Sequence, residues 1–380
     1  MPKVLHLIHS LNTGGIEKWL ISMLREVSRS QCEMDVCCKG LDVGSLASIA
    51  EQLGAKVHHC PLVFHVGFAQ NFSKILTEGQ YQILHNHVEA YSGFPVWVAH
   101  RMGIPVITSF HNTYFFNPQT WLTRLPILRE LRSVYAVISM NYALRYSDLV
   151  TGCSQGALES LDREGIKIQG RSQVLYYGVN IPELSTTEAR IAFRQSFGWS
   201  TNTPIILHVG RFIEQKNHLG ILSVFEEVLE RVPTAKLLLV GEGILQPLVE
   251  NTIVQRGLCD SIRLLGVRDD VLSLMTKCDV FLLPSIHEGL GIVALEANAA
   301  NVPVVGSKIP GLREAVREGE TALLHDVKDI KGMAESVTKL ISDLEYNKQI
   351  GNAGRAWVKD RYSTEISARE LLKIYNSFTQ

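Results

Sequence analysis

The sequence predicts an α/β protein of two successive domains, each a parallel sheet with helices on both faces (α/β/α), that face each other across a cleft. The chain has 380 residues, more than one ordinary hydrophobic core accommodates. Short β-branched runs alternate with longer amphipathic stretches from end to end, the rhythm of β-α-β units. A break with Gly and Pro at residues 177–182 divides this alternation into two series of similar length. A ligand is expected in the cleft.

Residues 1–182 are the predicted first domain. Helices are expected between its strands, for example at Gly15–Val27 and Glu89–Arg101. Its strands are predicted at six apolar runs: Val4–Ile8, Met34–Cys38, Lys56–His59, Ile83–His85, Pro105–Ser109 and Leu149–Thr151.

Residues 183–361 are the predicted second domain, which repeats the alternation. A further helical stretch, Thr364–Ser377, ends the chain. The strands of this domain are predicted at five runs: Ile205–Val209, Lys236–Val240, Ile262–Leu265, Val280–Leu283 and Val304–Val305.

Charge balance and cysteine usage exclude several classes of function. Lys and Arg (37) match Asp and Glu (38), so no basic surface predicts nucleic acid as a partner. The seven cysteines show no C-x-x-C spacing, which disfavours zinc or redox chemistry and suits a reducing cytosol. The N-terminus lacks a signal-peptide pattern, and no apolar run has bilayer-spanning length. We therefore expect a cytoplasmic protein, at most peripheral at the inner face of a membrane.

Several unusual residues of the first domain follow strands, at the sheet edge where ligands bind. Gly14 and Gly15 open a helix whose unpaired N–H groups suit an anion, although an ordinary tight turn explains them as well. His111 follows the fifth strand, where a neutral imidazole could hydrogen-bond a sugar, although most such histidines are structural. His85 and His87 lie two apart on an extended segment, so we expect only one, His87, to face the cleft.

Two cations follow the first strand of the second domain, in the segment HVGRFIEQKNH. Arg211 offers a planar fork and Lys216 a mobile point charge, a combination typical of diphosphate binding. A solvated loop is the alternative, but the position directly after a buried strand favours binding. Gly243 and Val267 follow the next two strands and are candidates for backbone contacts with the ligand.

Two acids bracket a glycine-rich turn in the segment SIHEGLGIVALEANAA. A helix is predicted from about Gly291, so Glu296 lies in its second turn and Glu288 precedes it. Their separation would be about 12 Å along a regular helix, which suits two ends of an elongated ligand better than a catalytic dyad. Each carboxylate can accept hydrogen bonds from neighbouring hydroxyls, while the amides of Gly289, Leu290 and Gly291 face an anionic middle. A nucleotide-diphosphate sugar has this order of groups.

These residues together resemble those of the retaining glycosyltransferases of family 4, which have two Rossmann-like domains in the GT-B architecture. The resemblance covers nearly the whole chain. Its most specific part is Glu288–Glu296, which is similar to the E-x7-E element of that family. The other matching segments are Gly14–Gly15, Gly210–Arg211 with Gln215–Lys216, Pro303–Gly306 and Gly311–Glu314.

The resemblance implies a function for the matched residues of the second domain. Arg211 and Lys216 would bind the diphosphate and offset the charge of the leaving group. Glu296 would bind the ribose. Glu288 would contact hydroxyls of the donor sugar, with the amides of residues 289–291 nearby.

The resemblance also implies features outside that domain. Gly15 would approach the phosphate, and His111 would lie beside the donor sugar. Residues 362–380 would pack back onto the first domain. Transfer would proceed with retention and without a metal ion or other cofactor, in keeping with the absence of a D-x-D motif from the sequence.

The first domain is expected to bind the acceptor, a saccharide or a lipid-linked group, with His87 and Tyr114 as candidate contacts. Residues 121–132 mix apolar side chains with three arginines and could lie on an anionic membrane, although a partly buried helix is the commoner explanation. The resemblance implies a place in cell-surface polysaccharide or glycolipid synthesis.

Two other functions remain open at this point. An NAD(P)-dependent oxidoreductase could use Gly241 and Gly243, but Gln246 stands where a G-x-G-x-x-G motif needs its third glycine. A non-catalytic protein that binds nucleotide sugars would present a similar cleft, and release of nucleoside diphosphate would distinguish it from an enzyme.

Overall fold

The computed structural model contains two compact units, Met1–Gly178 with Thr364–Gln380, and Val179–Ser363. Both are α/β units with parallel sheets, as predicted. Among the described residues, no helix combines the length and the apolar character that crossing a bilayer requires. The structure describes residues 1–12, 14–88, 91–111, 126–163 and 171–379, with only the backbone of 126–129, 131–132 and 162–163. Tyr114 and residues 121–125 therefore lie outside the described residues.

The division falls at 178/179, where the sequence predicted 182/183. Val179 belongs to the second unit because its N–H donates to the carbonyl of Tyr362 at 2.8 Å and because it forms a bridge with Ser363. Pro182 belongs there too, since its carbonyl accepts a hydrogen bond from Arg355 at 2.9 Å.

The first unit is built on a parallel sheet. Its described strands are β1 (Lys3–Ile8), β2 (Glu33–Cys38), β3 (Val57–His59), β4 (Ile83–Asn86), β5 (Val106–Phe110), β6 (Leu149–Gly152) and β7 (Arg171–Val174). The strand order is β3-β2-β1-β4-β5-β6-β7, so the winding direction reverses at β1. Its described helices are α1 (Gly15–Glu26), α2 (Ala47–Gln52), α3 (His65–Gly79), α4 (Gly93–Arg101), α5 (Pro126–Tyr146) and α6 (Gln155–Arg163).

The second unit repeats this plan. Its strands are β8 (Ile205–Val209), β9 (Lys236–Val240), β10 (Ile262–Leu264), β11 (Val280–Leu283), β12 (Val304–Ser307) and β13 (Ala322–His325). They lie in the order β10-β9-β8-β11-β12-β13, the Rossmann order, with the reversal at β8. Its helices are α7 (Thr187–Gln195), α8 (His218–Arg231), α9 (Gln246–Gln255), α10 (Val271–Met275), α11 (Ile292–Ala299), α12 (Pro310–Ala315), α13 (Ile330–Ser342) and α14 (Leu344–Arg361).

The sequence missed the last strand of each sheet, β7 and β13. Strand β7 reads RSQV and is mostly exposed, so it shows no apolar run to predict it. Strand β13 reads ALLH, with buried and half-buried residues in alternation, which is short for a periodic signal. Both are paired at a sheet edge, where one neighbouring strand is enough to order the backbone.

The last helix, α15 (Thr364–Asn376), belongs to the first unit, where it packs against α1. The indole N–H of Trp19 donates to the hydroxyl of Ser367 at 2.9 Å, and both side chains are buried. The fully buried Tyr375 extends from the same helix to the histidines of the sheet. Helix α15 is therefore an integral part of the first unit.

Candidate active site

The loops that follow β8 and β11 are joined side by side at the reversal point of the second sheet. The backbone N–H of Ile286 donates to the carbonyl of Gln215 at 2.8 Å. The side-chain amide of Gln215 donates in turn to the carbonyl of His287 at 3.0 Å. In open α/β sheets this edge is where ligands bind. The structure thus brings together the two loops that the sequence singled out.

An ion pair lies where these loops meet. The ammonium of Lys216 donates to Oε1 of Glu288 at 2.6 Å, and the two side chains are only 14% and 8% exposed. Such a short bond between opposite charges is among the stronger polar contacts in proteins. The sequence assigned the two residues to different parts of a ligand and did not predict that they bind each other.

The turn from Glu288 to Gly291 is held from behind by α12. A Cβ at Gly311 would lie 2.4 Å from the carbonyl oxygen of Glu288 and 2.6 Å from that of Gly289, so no other residue fits there without moving the turn. Gly291 has a φ of 70°, a conformation that favours glycine, and is the N-cap of α11. Leu290 is buried beneath the turn. The turn is therefore a fixed platform.

The second acid, Glu296, lies in the second turn of α11, as predicted, and is half-buried. Helix α11 begins at Ile292, directly after the glycine turn. The two acids are therefore on different parts of the backbone: Glu288 precedes the helix and Glu296 belongs to it.

Arg211 occupies the start of the same loop as Lys216 and is exposed. The next residue, Phe212, is buried and binds the loop after β9: its N–H donates to the carbonyl of Glu242 at 2.8 Å. Gly243 packs against the backbone of Phe212. Val267, which follows β10, is exposed. Phe212 thus anchors the loop and leaves the arginine free to reach a ligand.

Two buried histidines, one on each side in the chain of the loop that carries Arg211 and Lys216, were not predicted to be functional. His208 on β8 bonds through Nδ1 to the carbonyl of Leu282 at 2.9 Å, and the His218 ring stacks on Phe212 with centroids 4.0 Å apart. Burial, and next the charge of Lys216, lower the pKa of His218 to about 4. Burial likewise lowers the pKa of His208 well below its ordinary value. Both rings are therefore neutral near pH 7 and add no positive charge to the loop.

In the first unit, His111 follows β5 and is buried. Its Nδ1 is hydrogen-bonded to the hydroxyl of Tyr177, and its ring stacks on that of His87 with centroids 5.3 Å apart. Burial lowers the pKa of His111 to about 3, so the ring is neutral at physiological pH. A neutral imidazole can exchange hydrogen bonds with sugar hydroxyls but cannot stabilise a negative charge as a cation would.

His85 and His87 lie on the same side of their segment, and His87 remains the residue predicted to face the cleft. Their ring centroids lie 4.1 Å apart, because residues two apart in an extended segment share a face. With His6 they form a buried group whose ligand atoms lie within 4.8 Å of one another, a spacing that could hold a metal ion. However, His6 Nδ1 and His87 Nε2 are hydrogen-bonded at 3.0 Å, and both nitrogens of His85 are bonded, to Tyr375 and Ser109, at 2.7 Å. These contacts are those of a neutral hydrogen-bond network.

The predicted anion position at α1 has a protein carboxylate beside it. Gly14 is the N-cap and Gly15 the first residue of the helix. A Cβ at Gly14 would lie 2.3 Å from Oε2 of Glu17, so that carboxylate already lies against the glycine. An incoming phosphate would have to displace the Glu17 side chain, which is flexible, or bind beside it.

Comparison with known proteins decides the family. The family model described as "Glycosyltransferase Family 4" matches residues 13–182. The family model described as "Glycosyl transferases group 1" matches residues 189–357. The two family models together span most of the chain. This chain belongs to glycosyltransferase family 4. Its activity is therefore glycosyl transfer, and its two units are those of the GT-B architecture.

The relatives and solved structures agree with this assignment. N-acetyl-alpha-D-glucosaminyl L-malate synthase of Bacillus anthracis is 27% identical, over 82% of this chain and 79% of its own length. The capsular polysaccharide biosynthesis glycosyltransferase CapM of Staphylococcus aureus is 31% identical, over 46% of each chain. Anabaena Alr3699/HepE, solved with UDP-glucose, has the same fold: TM-score 0.83, 19% identity, 99% of this chain and 100% of that one.

Proposed function

We propose that this glycosyltransferase moves a sugar, with retention, from a nucleotide-diphosphate sugar to a hydroxyl acceptor in cell-surface polysaccharide or glycolipid synthesis. The observation that carries the proposal is the ion pair of Lys216 and Glu288 beside the glycine turn, at the reversal point of the second sheet. A charged pair, a fixed row of amides and a nearby arginine are what a diphosphate linked to a sugar requires.

Lys216 would bind the diphosphate while it remains bonded to Glu288. An ammonium has three donors, and the bond to Glu288 uses one of them at 2.6 Å. The other two are available to phosphate oxygens, together with the exposed guanidinium of Arg211. Glu288 thereby fixes the position of the lysine as well as accepting from hydroxyls of the donor sugar.

Departure of the nucleoside diphosphate would be assisted by these same groups. Negative charge grows on the leaving phosphate, and Arg211, Lys216 and the amides of Gly289, Leu290 and Gly291 would stabilise it. No metal ion or other cofactor is needed for this, because the two cations supply the charge. Glu288 is a poor nucleophile while an ammonium holds it, which favours attack by the acceptor on the face that the phosphate leaves.

Uracil is the base we propose for the donor, which would then be a UDP-sugar. Alr3699/HepE, which shares the fold, was solved with UDP and with UDP-glucose. Glu296 would accept from the ribose hydroxyls, and the backbone near Gly243 and Val267 would contact the base. For the first unit, Gly14 and Gly15 remain candidates for the phosphate and His111 for the donor sugar.

The acceptor would be a saccharide or a lipid-linked group. CapM belongs to capsular polysaccharide biosynthesis, which supports this setting. His87 and Tyr114 remain candidate acceptor contacts, although His87 is buried within the histidine network. We place the protein in the cytoplasm, at most peripheral at the inner face of the membrane.

A thermal-shift panel of UDP-, GDP- and ADP-sugars tests the proposal. We expect UDP-glucose or another UDP-sugar to raise the melting temperature most, and Arg211→Ala to abolish that rise. Arg256→Ala is the matched control, because Arg256 is exposed and its guanidinium binds the side chains of Ser223 and Glu226 on α8. Stabilisation by none of the donors, or an unaffected Arg211→Ala variant, would refute the donor site.

Turnover then separates the proposed enzyme from the rival functions. Release of UDP and a product with the anomeric configuration of the donor are expected when an acceptor extract is added. Donor binding without UDP release would indicate a non-catalytic binding protein. Consumption of reduced nicotinamide with carbonyl substrates would indicate an oxidoreductase, which the family assignment does not favour.

A further inference from the structure

Lys39, the residue directly after β2, is a buried lysine. It is only 9% exposed, and its ammonium donates to the backbone carbonyl of Tyr91 at 3.3 Å. Among the described residues no carboxylate pairs with it, and burial alone lowers the pKa of Lys39 to about 8. Burial of an unpaired cation costs folding free energy. Residues of this kind are common in binding and catalytic sites.

The position of this ammonium in the sheet is informative. Strands β2 and β4 flank β1, and the N–H of Lys39 donates to the carbonyl of Ile8, the last residue of β1, at 3.0 Å. Tyr91 follows β4, so the lysine side chain spans the end of β1 from one neighbouring strand to the other. This is the reversal point of the first sheet, the place where open α/β sheets bind ligands.

Tyr91 contacts the Lys39 ammonium but leaves some of its N–H donors available to a ligand. The centroid of the Tyr91 ring lies 5.9 Å from the ammonium nitrogen. The backbone carbonyl of Tyr91 accepts from one of the three N–H donors of that ammonium. His9, next to β1, is close enough for the Lys39 charge to lower its pKa, after the larger effect of burial, while Asp42 acts in the opposite direction. Asp42 itself is exposed and accepts from Asn12 at 3.3 Å.

We propose that Lys39 binds an anionic group of the acceptor, a phosphate or a carboxylate, at the end of β1. This inference rests on the proposed function in one respect only: that the first unit receives the acceptor. An anion there would neutralise the buried ammonium and bring an acceptor hydroxyl into a defined position. The group could belong to a small soluble acceptor or to the phosphate of a membrane lipid.

Anion binding by the full chain tests the site separately from catalysis. Inorganic phosphate is titrated in the presence of saturating UDP, which blocks the proposed donor site. We expect the phosphate dissociation constant to rise roughly tenfold or more in Lys39→Met, and Lys39→Arg to retain binding. The UDP dissociation constant should not change in either variant. Lys56→Met is the control, because Lys56 is exposed and precedes β3, at the amino ends of the strands, whereas Lys39 lies at their carboxyl ends.

A second arm identifies the source of the anion. Vesicles of phosphatidylcholine with and without phosphatidylglycerol are sedimented with wild-type protein and with Lys39→Met. Weaker binding of phosphate or of anionic vesicles by Lys39→Met than by wild type supports the site. Phosphate dependence indicates a small soluble acceptor, and vesicle dependence indicates a membrane lipid. Equal binding by wild type and Lys39→Met, or no binding of either probe by wild type, overturns it. Failure of UDP to bind would instead refute the proposed donor, and leaves the phosphate comparison interpretable.

Discussion

The ammonium nitrogen of Lys216 lies 2.6 Å from Oε1 of Glu288, although the two residues are 72 positions apart in the chain. The pair joins the loops after β8 and β11, and it is largely buried. Removal of one partner therefore leaves the other charge poorly solvated.

Substitution of Lys216 by Ala should lower the turnover number with a UDP-sugar roughly 10²- to 10³-fold, since a charge that stabilises the leaving group is lost. Steady-state UDP release measures this. The control is Lys236→Ala, because the ammonium of Lys236, at the start of β9, donates to the carbonyl of Asp260 at the exposed surface. Turnover near the wild-type value in Lys216→Ala would remove this lysine from the mechanism.

A change from Gly311 to Ala should weaken donor binding without contact between the new methyl group and the donor. The methyl would lie 2.4 Å from the carbonyl of Glu288, so the turn bearing Glu288 and Gly289 has to move. We expect the dissociation constant for a UDP-sugar to rise about tenfold, which corresponds to about 1.4 kcal/mol. Gly67→Ala, where the same methyl meets open space, should bind donor normally. Unchanged affinity in Gly311→Ala would show that the turn is not a fixed platform.

Asp279 is predicted to support stability and not catalysis. Its carboxylate accepts from Arg190 at 2.6 Å, from Arg194 at 2.7 Å and from the N–H of Ile205 at 2.7 Å. Asp279 directly precedes β11, and Ile205 is the first residue of β8. Asp279→Ala leaves the buried guanidinium of Arg194 without its counter-charge and should cost about 3 kcal/mol of unfolding free energy.

Urea denaturation measures that loss. The comparison is Asp270→Ala, which removes an exposed pair with Arg268 and should cost no more than about 1 kcal/mol. Equal losses in the two variants would contradict the distinction between a buried and an exposed ion pair.

Acidification should destabilise the first unit through its buried histidines. Burial lowers the pKa of His6 from the ordinary histidine value of 6.5 to about 3. Burial also lowers the pKa values of His85 and His87 well below 6.5. The unfolded chain therefore binds more protons between pH 6.5 and 3. Stability is full above pH 6.5 and falls as the pH drops towards 3, by up to about 1.4 kcal/mol per pH unit for each histidine.

Melting temperatures at pH 7.5, 6 and 5 test this prediction. Replacement of His6 by Asn should flatten the dependence on pH, whatever it does to stability at pH 7.5. His100→Asn is the control, because His100 is exposed on α4. A slope in His6→Asn as steep as in wild type would mean that other groups cause the acid sensitivity.

Local pattern was sufficient for much of the site. The glycine turn, the start of α11 and the place of Glu296 in its second turn all follow from residues within about three turns of helix, because capping and helix propensity act over that range. The position of Arg211 and Lys216 after a strand was likewise a matter of neighbouring residues. The edge strands β7 and β13 were missed because they have little apolar character of their own.

By itself, the sequence determined which residues stand at the ends of strands and that two α/β series follow each other. Tertiary structure alone decided which of those ends meet. The order of parallel strands places β8 beside β11 and β2 and β4 on either side of β1. It thereby pairs Lys216 with Glu288 and gathers His6 with His85 and His87. It also leaves Lys39 buried, with no carboxylate partner among the residues that the structure describes. Hydrogen bonding between distant strands sets these neighbours, and no local periodicity records it.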